Sequence, residues 1–439
     1  MDTTKLYIMN ISRLNRSLVN FNTACKLSRM LSAHRMPSEQ LHELRLVRLR
    51  RMLSYAFDHF EFYRSGMKSA GVDPRKITSL DDLKKLPVLD RRAYKELTAS
   101  ALKSFPDHFQ DCFQDATSGS TGQPVQIYRS WDDRAYMLAK FMRVLVRNGY
   151  RPWHKMFWVA SPVHIRGQDT LLQSLGIMKR HVASFADPAR VLVEKIITLK
   201  PQVIYANKSH LVQMAMHICR NRINIPRPMI CASVGEILDP VSLSLLQQAF
   251  GSDSLIDCYG SLELSNVAWR RISREDFFRV HHDSDILEVV GENGFTASKG
   301  TALITDLHIR SIPLIRYRLG DQMEVEYRDN LPSIKKIIGR TDDLLHFRDG
   351  TSCAGPMIEV VMEDIPGILQ YRVIQESYDL VRVIIAAGDG VDLNEIKKRV
   401  LQGFKTYVSS DIKYLVEFTD NIPPDPNGKL RMLISRIAP

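Results

Sequence analysis

Residues 202–233, QVIYANKSHLVQMAMHICRNRINIPRPMICAS, decide the fold. Two short apolar runs, QVIYAN and PMICAS, flank a stretch with helical periodicity, SHLVQMAMHICRNR. A strand, a helix and a second strand in this order are typical of an α/β unit. The alternation extends from about residue 116 to 340, with further strands predicted at MFWVAS (156–161) and SLIDCYG (254–260). We therefore predict an α/β fold.

The segments on either side of this region indicate two domains. Residues 1 to about 115 predict a helical lead-in, and the stretch from 285 to 340 is rich in predicted strands. After it, three strand-like runs surround the helix DLNEIKKRVLQGFKTYV. We expect a large N-terminal domain of mixed α/β sheets with helices over residues 1–339, and a small α+β C-terminal domain over residues 340–439.

Length and composition favour an ordinary cytoplasmic protein of more than one domain. The 439 residues are too many for one compact core. The six cysteines are scattered without a CxxC pair, which is typical of reduced thiols. We find no apolar run of eighteen residues and no signal-peptide pattern, so neither a transmembrane helix nor secretion is expected.

The formal net charge of +11 raises the question of a nucleic-acid or anionic-membrane partner. The basic residues are spread out, however, and their densest cluster is Arg45, Arg48, Arg50 and Arg51. This cluster lies in LHELRLVRLRRMLSYAFDHF, where leucines recur near helical spacing. We predict an amphipathic helix with a solvated basic face, and no nucleic-acid partner.

The strongest local signal for chemistry is ATSGSTGQP at residues 116–124. Glycines allow successive main-chain N–H groups to converge, and hydroxyl side chains add donors, so such a segment suits polyphosphate oxygens. It lacks the Gly-Lys-Ser/Thr of a Walker A loop. A flexible surface loop of turn-forming residues is the alternative.

Three further segments combine a strand end or turn with a charged side chain. In DCYGSLE, Glu263 follows a predicted buried strand and could hold Mg²⁺, although an exposed loop glutamate is more common. In RYRLGD, Asp321 could accept hydrogen bonds from ribose hydroxyls, although Gly-Asp turns are commonplace. In PNGK, Lys429 lies on a turn-rich loop, and it is either simply solvated or a point charge delivered to a distant site.

The order and spacing of these segments resemble the adenylate-forming superfamily of acyl-CoA synthetases. The series is ATSGSTGQP, SVGE, DCYGSLE, RYRLGD, GRTDD and PNGK. More narrowly, the chain resembles the phenylacetate–CoA ligase and CapK-like branch, because its FYR, DDL and LPVL segments follow the N-terminal pattern of that branch. The similarity extends from about residue 40 to the end.

The resemblance implies a binding site for ATP. The β- and γ-phosphates would be wrapped by Thr117, Ser118, Gly119, Ser120, Thr121 and Gly122. Gly235 and Glu236 would line the adenine pocket, and Tyr259 would stack near the base. Gly260 and Ser261 belong to the same nucleotide-binding motif as Tyr259.

The resemblance also implies the catalytic residues and a mobile C-terminal lid. Glu263 would hold Mg²⁺, Asp321 would bind the ribose hydroxyls, and Arg340 would contact the nucleotide. Asp342 would be the hinge about which the lid turns. Lys429 would reach the α-phosphate and the carboxylate in the adenylation conformation only.

The activity that follows is ATP-dependent activation of a carboxylic acid as its acyl-AMP, with pyrophosphate release. An ionised acid needs no general base, so catalysis rests on positioning and positive charge. The acyl group would then pass to CoA, or alternatively to the phosphopantetheine of an acyl carrier protein or to an amine. A non-catalytic nucleotide-binding module is disfavoured because Glu263, Asp321, Arg340 and Lys429 are all present.

The sequence departs from the family pattern at three places. Leu262 replaces the usual Thr or Ser, Val125 stands where many acyl-CoA synthetases have Lys, and Arg431 follows Lys429 one position early. None of these removes a residue that the resemblance makes essential.

The acid-binding residues are less clear from the sequence. The candidates precede the Tyr-Gly motif and are Trp158, His164, Tyr205, Asn207 and Lys208. We select Tyr205 and Asn207, since they follow an apolar strand end. Trp158 is more compatible with a core position.

Other classes of site find little support. His281 and His282 with Asp283 and Asp285 are suggestive of a metal, but no HExxH or further ligand spacing accompanies them, and a structural role is favoured. SGSTG is not the GxSxG of a serine hydrolase, and Gly388-Asp389-Gly390 lacks the third glycine of a dinucleotide fingerprint.

Overall fold

The structure is a computed structural model. It describes residues 13–116, 125–160, 171–291, 293–340, 344–349, 351–363, 365–425 and 428–437.

The N-terminal part is a group of helices. These are α1 (Arg13–Ala33), α2 (Ser38–His59), α3 (Glu61–Ser69), α4 (Arg91–Ser104) and α5 (Pro106–Gln110), with short 3-10 turns at Pro74–Lys76 and Leu80–Lys85. Leu49 and Leu53 of α2 and Tyr63 of α3 belong to one buried cluster that also contains Ile304 and Ile315. The helical lead-in is thereby packed onto strands that come some 250 residues later in the chain.

A seven-stranded sheet forms the centre of the molecule, in the order β4-β3-β5-β6-β7-β8-β9. Its strands are β3 (Met156–Ala160), β4 (Arg180–Ser184), β5 (Val203–Asn207), β6 (Ile230–Val234), β7 (Leu255–Ser261), β8 (Ser265–Arg271) and β9 (Arg279–Val280). The first five strands in spatial order are parallel to each other. Strand β8 pairs antiparallel with β7, and β9 pairs antiparallel with β8.

Helices cover both faces of this sheet. They are α6 (Trp131–Arg147), α7 (Leu171–Ser174), α8 (Ala189–Leu199), α9 (Lys208–Arg220) and α10 (Pro240–Phe250). Residues of α8, α9 and α10 pack on one face around Ile204 and Cys231, and α6 packs on the other around Val203 and Ile230. A parallel strand buried on both faces needs apolar residues throughout, which is why the QVIYAN and PMICAS runs are continuous rather than alternating.

Two smaller sheets accompany the central one. A hairpin joins β1 (Phe113–Ala116) to β2 (Gln126–Arg129). An antiparallel sheet contains β10 (Asp285–Val290), β11 (Lys299–Asp306), β12 (Tyr317–Arg328) and β13 (Leu331–Arg340), in that order.

The C-terminal part has its own sheet and core. A short pair, β14 (Leu344–His346) and β15 (Ser352–Ala354), leads to α11 (Gly355–Glu363). The sheet has the order β18-β17-β16-β19, with β16 (Ile368–Ser377), β17 (Leu380–Ala387), β18 (Lys413–Thr419) and β19 (Leu433–Ser435). Helix α12 (Leu393–Tyr407) buries Ile396, Val400 and Phe404 against it.

The predicted fold class, mixed α/β with several sheets and a smaller C-terminal unit, is confirmed. Strands β3, β5, β6 and β7 lie where the sequence predicts them. The strands β4 and β8 were not predicted, because RHVAS and SNVAWRR contain charged and polar residues that interrupt the apolar run. The domain boundary at residues 339/340 and the mobility of the C-terminal unit stay predictions. No helix in the described part of the chain is long and apolar enough to cross a membrane.

The prediction of a solvated basic face on α2 is wrong for three of the four clustered arginines, and only Arg51 is exposed. Arg45 is 4% exposed, and the Arg48 guanidinium donates to the main-chain oxygen of Asp283. Arg50 donates to the main-chain oxygen of Ile77. The helix is covered by later segments of the chain, and guanidinium groups can satisfy main-chain carbonyls there while their stems pack against apolar groups.

A buried ionic network connects α6 to the antiparallel sheet. The Lys140 ammonium donates to Asp285 Oδ1 at 2.9 Å and to Asp306 Oδ2 at 3.4 Å, and all three side chains are fully buried. One turn further along α6, Arg143 donates to Asp283 Oδ1 at 2.6 Å. Each buried charge therefore has a partner of opposite sign, which a buried charge requires.

The histidines beside this network are held in the neutral form. Burial, with Arg45 nearby, lowers the pKa of His282 to about 3, and burial, with Arg48 nearby, lowers the pKa of His308 to about 4. His281 is buried and contacts Asn266 Oδ1 at 2.8 Å. Among the described residues, no group of three or more His, Cys, Asp or Glu side chains could hold a metal ion.

His282 and His308 are expected to make the stability of the protein sensitive to mild acid. An unfolded chain protonates them near pH 6.5, whereas the folded chain does so only near pH 3 to 4, so lowering the pH through this window favours unfolding. Urea unfolding between pH 4.5 and 7 should show a free energy of unfolding that falls with falling pH. The double variant His282→Gln, His308→Gln should reduce that slope by up to about 2.7 kcal/mol per pH unit. The exposed His42→Gln is the control, and an equal reduction there would contradict this origin.

Candidate active site

The site lies at the carboxyl ends of the parallel strands β5, β6 and β7. Asn207 ends β5, Gly235 follows β6 directly, and Tyr259 lies near the end of β7, just before its hairpin. Ligands of open α/β sheets bind at this edge, since strand ends there project loops into one shared space.

The β7–β8 hairpin carries Glu263 in a tight turn. A Cβ atom at Gly260 would lie 2.0 Å from the main-chain oxygen of Ser265, so only glycine fits where the two strands approach. Ser261 Oγ accepts a hydrogen bond from the Leu264 amide at 3.2 Å. Glu263 is 8% exposed, and the turn therefore presents its carboxylate from a fixed main chain.

Two buried cations bind main-chain oxygens of this turn. Arg129, the last residue of β2, donates to the main-chain oxygen of Glu263. Lys140 donates to the main-chain oxygen of Leu264 at 3.0 Å. The Tyr317 hydroxyl donates to Glu263 Oε1 at 3.3 Å, which links the turn to β12. Three separate elements therefore position one carboxylate.

Tyr259, Asp321 and Arg340 come together from two different sheets. The Tyr259 hydroxyl donates to Asp321 Oδ2 at 2.6 Å. Asp321 on β12 pairs with Arg340 on β13, where Arg340 Nε lies 4.0 Å from Asp321 Oδ1 and Nη2 donates to the Leu319 oxygen at 3.0 Å. The carboxylate is thus oriented by a phenol on one side and a guanidinium on the other.

The electrostatics of Asp321 reflect its neighbours. Burial raises the pKa of Asp321, and the hydrogen bond from Tyr259 and the charges of Arg340 and Lys429 oppose the shift, while Glu263 adds to it. Burial, with Asp321 nearby, raises the pKa of Tyr259 well above its usual value, so its hydroxyl stays a donor. Tyr259, Arg340, Glu263 and Lys429 all act on Asp321, so these five side chains share one electrostatic environment.

Lys429 reaches this edge from the C-terminal unit. Its Cε and Nζ atoms lie 3.3 Å and 3.5 Å from the position that a Cβ at Gly235 would occupy. Asn207 Nδ2 donates to the Gly428 oxygen at 3.1 Å, and the Leu430 amide donates to Glu236 Oε1 at 2.7 Å. The loop that carries Lys429 is therefore docked on the ends of β5 and β6.

Eight of the predicted site residues lie outside the described residues. They are Thr117, Ser118, Gly119, Ser120, Thr121, Gly122, Asp342 and His164. The strands around the 117–122 segment pair with each other, Ala116 with Gln126. Since Arg129 on the second of these strands contacts the Glu263 turn, the base of the hairpin lies beside that turn.

The two acid-binding candidates lie in different surroundings. The Tyr205 ring packs against Phe141 and Trp158, with ring centroids 4.8 Å and 6.0 Å away. The Asn207 amide instead contacts the loop of Lys429. Their assignment to the acid pocket stays a prediction.

Sequence reasoning missed Tyr317, Arg129 and Ser209. Tyr317 lies inside the RYRLGD motif, so that motif itself was the available signal. Arg129 and Ser209 carry no motif signal, because they act on main-chain groups that are far away in sequence.

The departures from the family pattern have visible surroundings. Leu262 is 42% exposed beside Glu263, and Val125 is buried in the core under the hairpin. The Arg431 amide donates to Asp425 Oδ2 at 3.3 Å.

The residues present fit a magnesium ion held mainly by phosphates. Glu263 offers one fixed carboxylate at the strand edge. Mg²⁺ commonly uses one or two protein carboxylates together with substrate phosphate oxygens and water, rather than an all-protein cage. Glu263 would be its protein ligand.

Comparison with known proteins agrees with this architecture. Residues 348–436 match the CapK C-terminal domain family. The chain is 23% identical over 421 residues to a phenylacetate-coenzyme A ligase from Thermus thermophilus, covering 92% of this chain and 90% of that protein. It is 20% identical over 420 residues to protein CapK from Staphylococcus aureus, covering 90% of each.

A solved structure shares the whole fold. The crystal structure of 2-hydroxyisobutyryl-CoA ligase in its postadenylation state, with 2-HIB-AMP bound, superposes with a TM-score of 0.73 at 19% identity, covering 91% of this chain and 90% of that one. In the thioesterification state of the same ligase the TM-score is 0.59. The chain therefore has the fold of this CoA ligase. The resemblance to the phenylacetate–CoA ligase and CapK branch is confirmed.

Proposed function

We propose that this chain activates a carboxylic acid with ATP, forming an acyl-AMP and releasing pyrophosphate, and then transfers the acyl group to CoA. The observation that supports this most directly is the position of Lys429. A cation from the C-terminal unit lies at the strand edge where Tyr259, Asp321 and Arg340 converge.

Each residue has a role that its chemistry suits. Asp321, oriented by Tyr259 and Arg340, accepts hydrogen bonds from the ribose hydroxyls. The main chain at Gly235 and Glu236 lines the adenine pocket, and the 117–122 segment binds the β- and γ-phosphates. Mg²⁺, held by Glu263, would neutralise phosphate charge.

Lys429 supplies the positive charge at the reacting centre. When an acid carboxylate attacks the α-phosphate, negative charge accumulates on oxygens that are already anionic. A fixed ammonium there stabilises that charge without donating a proton. The new bond joins a carboxylate oxygen to the α-phosphorus, and the bond from that phosphorus to pyrophosphate breaks.

The second half-reaction requires the lid to move. A thiol attacks the acyl carbon and AMP leaves, which calls for access to the face that Lys429 now covers. A hinge near Asp342 would withdraw the loop and open this face. Acceptors other than CoA, namely the phosphopantetheine of an acyl carrier protein or an amine, are the alternative.

ATP–pyrophosphate exchange tests the first half-reaction. The purified protein is incubated with ATP, Mg²⁺, labelled pyrophosphate and a panel of aromatic and aliphatic carboxylic acids. Acid-dependent exchange with at least one of them is expected, and an acceptor panel of CoA, carrier protein and amines then identifies the product. Binding of ATP without exchange for any acid would contradict the proposal.

Glu263→Gln is expected to raise the Mg²⁺ concentration needed for half-maximal exchange by about tenfold, since an amide is a weaker ligand than a carboxylate for a hard cation. The measurement is a Mg²⁺ titration of the exchange rate at saturating ATP. Glu275→Gln, which lies on the β8–β9 connection, is a matched control. An unchanged titration in the Glu263 variant would contradict the metal assignment.

A further inference from the structure

The Glu236 carboxylate bridges the large domain and the lid. Its Oε2 accepts hydrogen bonds from the Ser209 amide at 3.0 Å and from Ser209 Oγ at 2.9 Å. Its Oε1 accepts a hydrogen bond from the Leu430 amide at 2.7 Å. Both oxygens are therefore used by protein donors, one on the N-terminus of α9 and one on the loop of Lys429.

The residue before Lys429 is held in the same way. Asn207 Nδ2 donates to the Gly428 oxygen at 3.1 Å, and Ser209 Oγ, whose single proton is shared with Glu236, lies 3.2 Å from the same oxygen. Gly428 has a φ of +77°, and a Cβ there would lie 3.1 Å from the Phe185 ring. The carbonyl before Lys429 and the amide after it are thus both bound by side chains of the large domain.

This arrangement fixes the main chain on both sides of the lysine. The Lys429 side chain is flexible, with four rotatable bonds, so its ammonium is placed only as well as its main chain is held. Glu236 provides the one ionised acceptor in the set, and hydrogen bonds to charged groups are stronger than neutral ones. Leu430 is 4% exposed, so this part of the loop is largely shielded from water while it is docked.

We propose that Glu236 is the latch of the adenylation conformation: its carboxylate captures the Leu430 amide, and this contact places Lys429 at the reacting centre. Glu236 is a positioning residue in this role, and its side chain acts on the lid rather than on adenine. The catalytic consequence rests on the proposed function, whereas the contact itself does not.

The latch is reversible by construction. When the lid turns, Glu236 and the Leu430 amide both reach water, and the carboxylate keeps its two hydrogen bonds from Ser209. At Glu236, release therefore exchanges one hydrogen bond with water and leaves no buried charge unpaired. The Gly428 oxygen likewise exchanges its contacts with Asn207 and Ser209 for water. The large domain also contacts the C-terminal unit through Arg220 at the end of α9, which donates to the main-chain oxygens of Asp420 and Ala387 at 2.8 Å and 2.9 Å. This contact is separate from the one at Glu236, which lies at the opposite end of α9.

Glu236→Gln tests the latch, with Glu395→Gln on the exposed start of α12 as the matched control. A glutamine has one acceptor oxygen for three donors, so it cannot keep both the Ser209 and the Leu430 contacts. Acid-dependent pyrophosphate exchange is expected to fall about 10- to 100-fold through its kcat, with the KM for ATP changed less than about twofold. Acyl transfer from supplied acyl-AMP should stay within about twofold of the wild type. Ser209→Ala should give a smaller change in the same direction.

Hydrogen exchange gives a readout that is independent of activity. In the protein without substrates, the Leu430 amide is expected to exchange faster in Glu236→Gln than in the wild type or in Glu395→Gln. Unchanged Leu430 exchange, or an equal fall of both half-reactions in a folded variant, would overturn the latch. A raised KM for ATP with unchanged Leu430 exchange would assign the side chain to adenine instead. If the wild type catalyses no ATP–pyrophosphate exchange with any carboxylic acid, the proposed function fails. Hydrogen exchange at the Leu430 amide still tests the latch in that case.

Discussion

Lys429→Ala is expected to lower acid-dependent ATP–pyrophosphate exchange by about 100- to 1,000-fold, which is the usual effect of removing one preorganised donor from a reacting anionic centre. The reason is the position of its side chain beside Gly235, at the edge that also carries Asp321 and Arg340. Acyl transfer from supplied acyl-AMP to the acceptor should stay largely intact, because the proposed mechanism withdraws the lysine in that half-reaction.

The two half-reactions are measured separately on the same protein preparation. Lys397→Ala, on the exposed face of α12 in the same domain, controls for the loss of a positive charge. An equal loss of both half-reactions in a folded Lys429 variant would show that the hinge model is wrong. Full exchange activity in that variant would remove Lys429 from the adenylation step.

Lys140→Met should lower the free energy of unfolding by about 3–5 kcal/mol, the usual cost of breaking a buried ion pair by removing one partner. The variant leaves Asp285 and Asp306 buried without their cation, and the Leu264 oxygen loses its donor. Urea unfolding measures the loss, with the exposed Lys68→Met as the control.

The loss should depend on pH in a defined direction. Burial and the neighbouring Asp306 already raise the pKa of Asp285, and Lys140 opposes that shift. A carboxyl whose pKa is raised on folding costs stability as the pH rises above its unfolded value of about 3.9. The pKa of Asp285 is about 8 while Lys140 is present, and removing Lys140 raises it further. The extra loss of stability in the variant should therefore appear as the pH rises through about 8, and it should be larger at pH 9 than at pH 5.

A second substitution separates charge from packing. The double variant Lys140→Met, Asp285→Asn should recover part of the lost stability, since one of the two uncompensated carboxylates is gone. No recovery, together with a loss that does not vary with pH, would indicate that the shape of the methionine side chain, rather than the missing charge, destabilises the single variant. Because Lys140 also holds the Leu264 oxygen, the single variant should disturb the Glu263 turn.

Much of the fold could be predicted because its physical causes are local. QVIYAN and PMICAS are mainly apolar because β5 and β6 are covered on both faces, and burial on two faces favours apolar residues along most of each strand. Strands β4 and β8 escaped prediction because charged and polar residues interrupt their apolar runs, and only their pairing with β3 and β7 makes them strands.

The motifs predicted the residue types of the site and their order, but they did not predict which of these residues contact each other. Tyr259 and Asp321 are separated by 62 positions, and their hydrogen bond exists only because two sheets meet at that edge. Arg45 and Arg48 show the same limit for α2. Helical spacing predicts which residues share a face, but it does not predict which later segments of the chain cover that face.

The amino-acid sequence by itself determined the strands of the α/β units and the set of polar side chains available at their ends, because these depend on local burial patterns. The tertiary structure alone decided that Glu236 contacts Leu430, 194 positions away, and that Lys140 supports the Glu263 turn. Such contacts depend on how sheets and domains are packed against each other, and no short stretch of sequence encodes that packing.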